Sequence, residues 1–469
     1  MNVLFVGSEA IPYAKTGCLA DVLGSLPKAL GNRNIDVSLV LPLHGIIKQD
    51  VEKNIRLISS YDIEIGSRVE KINLFSLFKD GVCIYFIDNH NYFGNRDTLY
   101  GHHDDGERYY FFNKAIIKSL SYFYSYPDII HLNDWQSGFV PYLLRKNNIK
   151  IKTLFTIHNL TFQGIFPIEL MEYLKEEIND VFILNDQVNF LKTGIMLSDF
   201  VTTVSKTYST EILSAEYGYG LNNILNQKKD KLSGIINGID YDYYNPKTDE
   251  DIYFNFTLNN YVKGKRINKE KLLEEFNIIK QRGPLVSIIS RINDIKGFDL
   301  LKEIIEELIT TYKINFILLG YGDSSTELFF EELHNKYPKS VGVFIGYNEI
   351  LAKKIYAGSD IFLMPSRFEP CGLSQLISYR YGTIPLVRNT GGLKDTVEPL
   401  DFFSLNGDGF MFNNYTAKDL MNKIVEAIKI YKQKDIWNRL IKRGLKNDFS
   451  WNNSAISYEK LYRKLIENK

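Results

Sequence analysis

The feature that most constrains this chain is an alternation that occurs twice: short apolar runs rich in β-branched residues, each followed by a stretch of helical periodicity or a Gly-rich turn. Such alternation is the pattern of βαβ units wound around a parallel sheet. The first series places strands at Val3–Val6, Val37–Leu41, Val82–Ile87, Ile129–Leu132, Leu154–Ile157 and Phe200–Val204. After the first of them, Leu19, Val22, Leu23, Leu26 and Leu30 share one helical face at spacings of three and four. Pro27 inside that run leaves the straightness of the helix open, since a proline there can kink it. A polar stretch rich in Asn and Tyr, from Asn245 to Gly283, carries one charged helix over Asn268–Phe276 and marks the domain boundary. Beyond it come strands at Leu285–Ser290, Phe316–Leu319, Val343–Ile345, Ile361–Met364 and Ile384–Val387. The reading is an α/β chain of two doubly wound, Rossmann-like domains. Open sheets of this kind bind ligands beyond the carboxyl ends of their strands, and two such domains facing each other would hold a site in the cleft between them.

Charge narrows the partners. Lys plus Arg and Asp plus Glu number 56 each, so the formal charge is zero and nothing draws the whole chain to nucleic acid or to an acidic membrane. Any anion site must be local. Cys18, Cys83 and Cys371 are odd in number and far apart, unlike a disulfide framework, which predicts a reducing cytoplasm. The N-terminus has no basic region and too short an apolar run for a signal segment. No apolar stretch approaches the ~20 residues that cross a bilayer. A soluble, cytoplasmic, unprocessed protein is expected.

Several strand ends concentrate chemistry. The first strand runs into a Gly-flanked loop, Gly7 to Cys18, which contains Lys15-Thr16-Gly17 and opens a helix. Free N–H groups and a positive dipole end there suit phosphate, and Lys15 adds a charge; a solvated turn is the alternative. Asn133-Asp134-Trp135-Gln136 and His158-Asn159-Leu160-Thr161-Phe162 follow two later strands. Polar side chains beside an aromatic suit a sugar, whose hydroxyls take hydrogen bonds and whose apolar face takes a ring; a buried polar network is the alternative. In the second series, Arg291 and Lys296 bracket a helix start, where a diphosphate would sit. The segment Met364 to Gln375 places Glu369 and Pro370 where a helix would take its cap and first residue. Alternatively, Glu369 grips a ribose diol while N–H groups of the following turn hold phosphate. Gly391-Gly392 gives a close backbone approach or a tight turn.

Other motifs fail. Gly320-Tyr321-Gly322 lacks the third glycine of a nicotinamide site, Asp240-Tyr241-Asp242 lies in a predicted turn, and His102-His103-Asp104-Asp105 reads as a solvated loop. No metal and no cofactor are expected.

Taken together, Lys15-Thr16-Gly17, Asn133-Asp134-Trp135-Gln136, Ile157-His158-Asn159-Leu160, Asn237-Gly238-Ile239-Asp240, Ser290-Arg291 with Lys296-Gly297, Glu369-Pro370-Cys371-Gly372-Leu373 and Asn389-Thr390-Gly391-Gly392-Leu393 resemble, in order and spacing, the bacterial glycogen synthases and plant starch synthases of glycosyltransferase family five. The resemblance runs nearly end to end. It implies a GT-B architecture: residues 1–245 on the acceptor side, 246–450 on the nucleotide-sugar donor side, and 451–469 as a terminal helix returning to the first domain. The implied reaction is transfer of glucose, with retention, from ADP-glucose to the non-reducing end of an α-1,4-glucan. The same resemblance gives Lys15, Arg291 and Lys296 the donor diphosphate, His158 the transferred glucose, Asp134 the sugar or acceptor side, and Glu369 the donor end. Gly17, Asn159, Cys371, Gly372, Leu373, Gly391 and Gly392 complete the expected substrate contacts.

A glycosyl diphosphate already carries a good leaving group, so cations and helix N-termini suffice to stabilise the charge that develops on it. Two departures stand out. Ile377 occupies the position where many retaining relatives carry a second Glu, which resembles the glucan synthases' own lack of it. Cys18 stands where the family pattern has a second glycine, and its Cβ would crowd a phosphate-binding backbone or demand a dihedral that glycine alone takes easily. The alternatives are a catalytically weakened glucan- or nucleotide-binding paralogue, or a UDP-sugar-dependent GT-B transferase. The motifs specify neither the nucleotide base nor an oligomeric state.

Overall fold

The computed structural model describes residues 1–467, of which 48–50 are described by backbone alone. The chain divides into two compact units: Met1–Gly238 together with the segment from Trp451 onward, and Ile239–Ser450. The passage at Gly238 falls ahead of Asn245 because the intervening residues pack with the second unit. Ile239 N donates to Phe449 O at 2.9 Å, and Tyr241 Oη donates to Asn447 O at 2.9 Å.

In the first unit β1 (Asn2–Val6), β2 (Asp36–Pro42), β3 (Arg56–Ile65), β4 (Arg68–Lys79), β5 (Val82–Asp88), β6 (Ile129–Asn133) and β7 (Lys152–Ile157) come first. A separate small sheet holds β8 (Ile165–Pro167), β9 (Ile183–Leu184) and β10 (Gln187–Asn189); β11 (Phe200–Thr203) and β12 (Leu232–Gly234) rejoin the main one. Its order is β12-β11-β7-β6-β1-β2-β5-β4-β3. All neighbours pair in parallel except β4 with β5 and with β3. The chain winds outward from β1 in one direction to β2, then in the other from β6, so the loops after β1 and β6 flank a topological switch point.

The antiparallel pair β3–β4 is not among the sequence expectations. On β4 only Glu70, Ile72, Leu74 and Ser76 are buried, so one face alternates and no continuous apolar run marks the strand.

The helix Cys18–Gly31 continues through Pro27 without interruption. Proline removes one hydrogen bond, but the buried face of Leu19, Val22, Leu23, Leu26 and Leu30 holds the helix in the core. Trp451, Ala455, Tyr458, Leu461, Tyr462 and Leu465 of the helix Trp451–Glu467 join the same core. Each fully buried side chain of this kind contributes roughly 1.5–3 kcal/mol.

The second unit has one parallel sheet built from β13 (Leu285–Ile292), β14 (Asn315–Gly322), β15 (Val341–Ile345), β16 (Ile361–Met364), β17 (Ile384–Arg388) and β18 (Phe410–Phe412), in the order β15-β14-β13-β16-β17-β18. Its switch point lies between β13 and β16. The charged helix spans Tyr261–Glu275 rather than Asn268–Phe276. Its buried face hides behind polar residues: Asn268 donates to Phe254 O at 2.8 Å and Lys265 to Thr383 Oγ1 at 2.6 Å. Periodicity in apolar residues therefore could not outline it. Among the described residues no helix is long and apolar enough to cross a membrane.

Candidate functional site

In the first unit the polar residues gather at the carboxyl ends of β1, β6 and β7. Asp134, directly after β6, adopts φ 54° and ψ −178°, a region that costs a non-glycine residue roughly 1–3 kcal/mol. Hydrogen bonds hold it there. Its N–H donates to Thr156 O at 3.0 Å, and its carboxylate accepts from His158 N at 2.8 Å and from Asn159 N. Burial pushes the Asp134 carboxyl up to about 7; the two N–H donors oppose this, and the negative charge of Glu9 adds to it.

His158 is 7% exposed, and burial pulls its pKa down to about 3, so the ring is neutral. The tautomer follows from Asn133, whose Nδ2 donates to Val6 O at 3.0 Å and to His131 O at 3.2 Å. Asn133 Oδ1 then faces His158 Nε2 at 2.9 Å and must accept from it. The lone pair is left on Nδ1, which is buried and, among the described residues, has no partner. Asn159 Oδ1 accepts from Thr161 N at 3.0 Å and Thr161 Oγ1 at 2.8 Å, shaping the loop after β7.

Trp135 is not a sugar platform. It is buried and lies edge-on to Tyr109, with ring centroids 5.0 Å apart. Gly164, at φ 61°, lies over it, and a Cβ there would come 2.4 Å from Trp135 Cε3. The indole supports the loop from below, while Phe162 on that loop is left exposed.

Lys15 pairs with Asp21 Oδ1 at 2.7 Å. Gly17 is the residue before the helix and has an extended backbone. Cys18, exposed, is the first helical residue and does not take positive φ. No glycine dihedral is required there, which removes one half of the expected difficulty.

In the second unit the loops after β13 and β16 meet at the switch point. Gly297, at φ 78°, precedes the helix Phe298–Thr310, and a Cβ there would lie 2.2 Å from Pro365 O. Arg367 N donates to Ile295 O at 2.8 Å, tying the two loops together. Lys296 Nζ sits 2.7 Å from Glu369 Oε2, to which Ser366 Oγ also donates at 3.1 Å. Glu369 therefore holds Lys296 and does not cap a helix. Gly372, at φ 74°, breaks the chain out of helical geometry, and the helix begins only at Ser374, behind Leu373. Arg291 is exposed at the end of β13, and among the described residues its guanidinium makes no ion pair.

Gly391 and Gly392 serve the backbone of the same loop. A Cβ on Gly391 would lie 2.0 Å from Glu369 O, and one on Gly392 2.2 Å from Cys371 O. Gly392 N donates to Glu369 O and Pro370 O, both at 3.1 Å. Cys371 is buried, and its carbonyl accepts from Gln375 Nε2 at 3.1 Å.

The structure thus groups Asp134, His158 and Asn159 at one switch point, and Arg291, Lys296, Glu369, Cys371, Gly372, Leu373, Gly391 and Gly392 at the other. Two contributors escaped the sequence reading. Arg388 donates through Nε to Ser366 O at 2.8 Å and through a terminal nitrogen to Arg367 O; its place at the end of a strand was the available signal. Glu9 is 3% exposed and bonds to Thr16, a contact that no spacing announces. Asp240 accepts from Asp242 N at 2.9 Å and Tyr243 N at 3.1 Å, closing its own turn.

The family described as starch synthase catalytic domain matches residues 2–227, and glycosyl transferases group 1 matches residues 269–444. The glycogen synthase of Bacillus anthracis is 42% identical, covering 100% of both chains. That of Clostridium novyi (strain NT) is 43% identical, covering 99% of both. The catalytic domain of starch synthase IV from Arabidopsis thaliana, solved bound to ADP and acarbose, superposes with a TM-score of 0.90 at 32% identity over 99% of both chains. Sucrose-phosphate synthase from Thermosynechococcus elongatus, with a TM-score of 0.63 at 16% identity over 100% of both chains, shares the fold.

Proposed function

The chain belongs to the glycogen and starch synthase family of glycosyltransferases, and from that premise we propose that it transfers glucose from ADP-glucose to the non-reducing end of an α-1,4-glucan with retention. The observation that carries this reading is the second switch point. Arg291, at the end of β13 and without an ion pair among the described residues, and Lys296, held by Glu369 in the loop after β13, flank a loop kept in place by Arg388, Gly391 and Gly392. Preorganised cations of this kind stabilise the charge that builds on a departing diphosphate. Lys15 contributes a further charge once it exchanges Asp21 for phosphate.

On the sugar side, the buried Nδ1 lone pair of His158 accepts from a glucosyl hydroxyl. Asp134, held in its strained conformation, accepts from the sugar or the incoming acceptor. The departing phosphate oxygen takes the acceptor proton as the new bond forms on the same face. That starch synthase IV was solved with ADP and acarbose supports the adenine nucleotide and the glucan-like acceptor.

The weakened-paralogue reading rested on Cys18; its helical backbone removes the demand for a glycine dihedral, and what is left of that reading is crowding of phosphate by the exposed side chain. Purified protein incubated with ADP-glucose or UDP-glucose and a maltooligosaccharide tests the proposal. Chain lengthening with ADP-glucose is expected; lengthening with UDP-glucose alone would reassign the donor, and none with either would overturn the reading.

A further inference from the structure

Glu9 is a buried carboxylate that the reaction above does not use. It follows β1 and turns back onto the loop that leads into the helix Cys18–Gly31. Its Oε2 accepts from Thr16 N and, at 2.8 Å, from Thr16 Oγ1; the N–H of Gly17 also donates to this carboxylate. Thr16 and Gly17 are the residues between Lys15 and the first helical residue. The carboxylate therefore bridges the end of the central strand to the turn that carries Lys15. Glycine freedom does not set the shape of that turn. Gly17 has φ −151° and ψ −167°, and a Cβ there would meet Glu9 Oε1 at an ordinary 3.7 Å.

We propose that Glu9 is a positioning residue for the donor, clamping the Thr16–Gly17 turn so that Lys15 is presented to the diphosphate; this rests on the reading of Lys15 as a diphosphate contact. Lysine is a point charge on a flexible stem. The charge is useful only where the backbone beneath it is already placed, because ordering a loose turn on binding subtracts from affinity. With Lys15 paired to Asp21 at 2.7 Å, the Glu9 clamp lets the ammonium swing between carboxylate and phosphate without remaking the turn.

The test combines steady-state kinetics of the full chain on ADP-glucose and maltooligosaccharide with calorimetric binding of ADP. Glu9→Ala should raise the donor KM and the ADP Kd by about tenfold, with the acceptor KM unchanged, since the lost bonds act on donor binding. Glu9→Gln keeps an oxygen for Thr16 and should recover most of the loss. If Glu9→Ala does not fold, Glu9→Gln decides alone: a rise of about threefold in the donor KM supports the clamp, and no change overturns it. A fall in kcat with donor KM and ADP Kd intact also overturns it. Lys15→Ala separates the two levels. If it weakens ADP binding while Glu9→Ala does not, only the clamp is lost; if neither does, the diphosphate role of Lys15 falls as well.

Discussion

Lys296 Nζ lies 2.7 Å from Glu369 Oε2, and the two side chains, only 20% and 10% exposed, come from loops that follow different strands of one sheet. A half-buried pair of this kind is costly to break from one side, because the surviving charge is left without compensation. We expect Lys296→Ala and Glu369→Ala each to reduce glucosyl transfer by about a hundredfold or more, and the double variant to lose far less than the product of the two. A double-mutant cycle on kcat/KM checks this; simple additivity would show that the pair does not act as a unit.

Arg291 presents the opposite case. Its exposed guanidinium makes no ion pair among the described residues, so removing it should leave stability within about 0.5 kcal/mol of the parent. Transfer should nevertheless fall by about a hundredfold, since a charge aimed at a departing diphosphate is lost. Urea unfolding and initial rates on the same preparation decide the matter; a parallel loss of stability would make Arg291 a structural residue.

The Asp134 carboxyl is pushed up to about 7 by burial, against about 4 in an unfolded chain. Between those values the native state holds a proton that the unfolded state has released. The contribution of this group to stability is therefore full below about pH 4 and is lost as pH rises through 7. Asp134→Asn cannot titrate, so its stability relative to the parent should improve steadily from about pH 4.5 to about pH 8 in urea melts. A pH-independent difference would mean that the carboxyl is not perturbed.

Gly392→Ala would set a Cβ 2.2 Å from Cys371 O, and backbone cannot move aside cheaply. We expect a loss of about 1–3 kcal/mol in unfolding free energy. We also expect a larger fall in transfer than Gly31→Ala produces, since a Cβ on Gly31 meets nothing within 4 Å. Equal effects of the two substitutions on turnover would remove the support proposed for the Glu369 loop.

Cys18→Gly asks whether the departure from the family pattern matters. The residue is helical and exposed, so the substitution should change transfer by less than about threefold while slightly loosening the helix start. A gain of an order of magnitude would revive the idea of a weakened enzyme.

The β13 and β16 strands, with the loops that follow them, were legible because a buried parallel strand is an uninterrupted apolar run and the chemistry of this fold follows strand ends. The edge pair β3–β4 was not, since a half-exposed strand mixes polar and apolar residues. The helix Tyr261–Glu275 is longer than apolar periodicity indicates for the related reason that Lys265 and Asn268 are buried on it.

By itself the sequence determined where the chain alternates between strand and helix, which residues end the strands, and which family those segments resemble, because each is a property of neighbours along the chain. Only the tertiary structure decided that Glu369 binds Lys296 rather than capping a helix, that Trp135 supports a loop, that Gly391 and Gly392 press on the backbone of the Glu369 loop, and that Glu9 reaches Thr16. Those relationships join residues through the winding of the sheets and the turns of loops, and hydrogen bonds and van der Waals contacts act over a few ångströms of space whatever the distance along the chain.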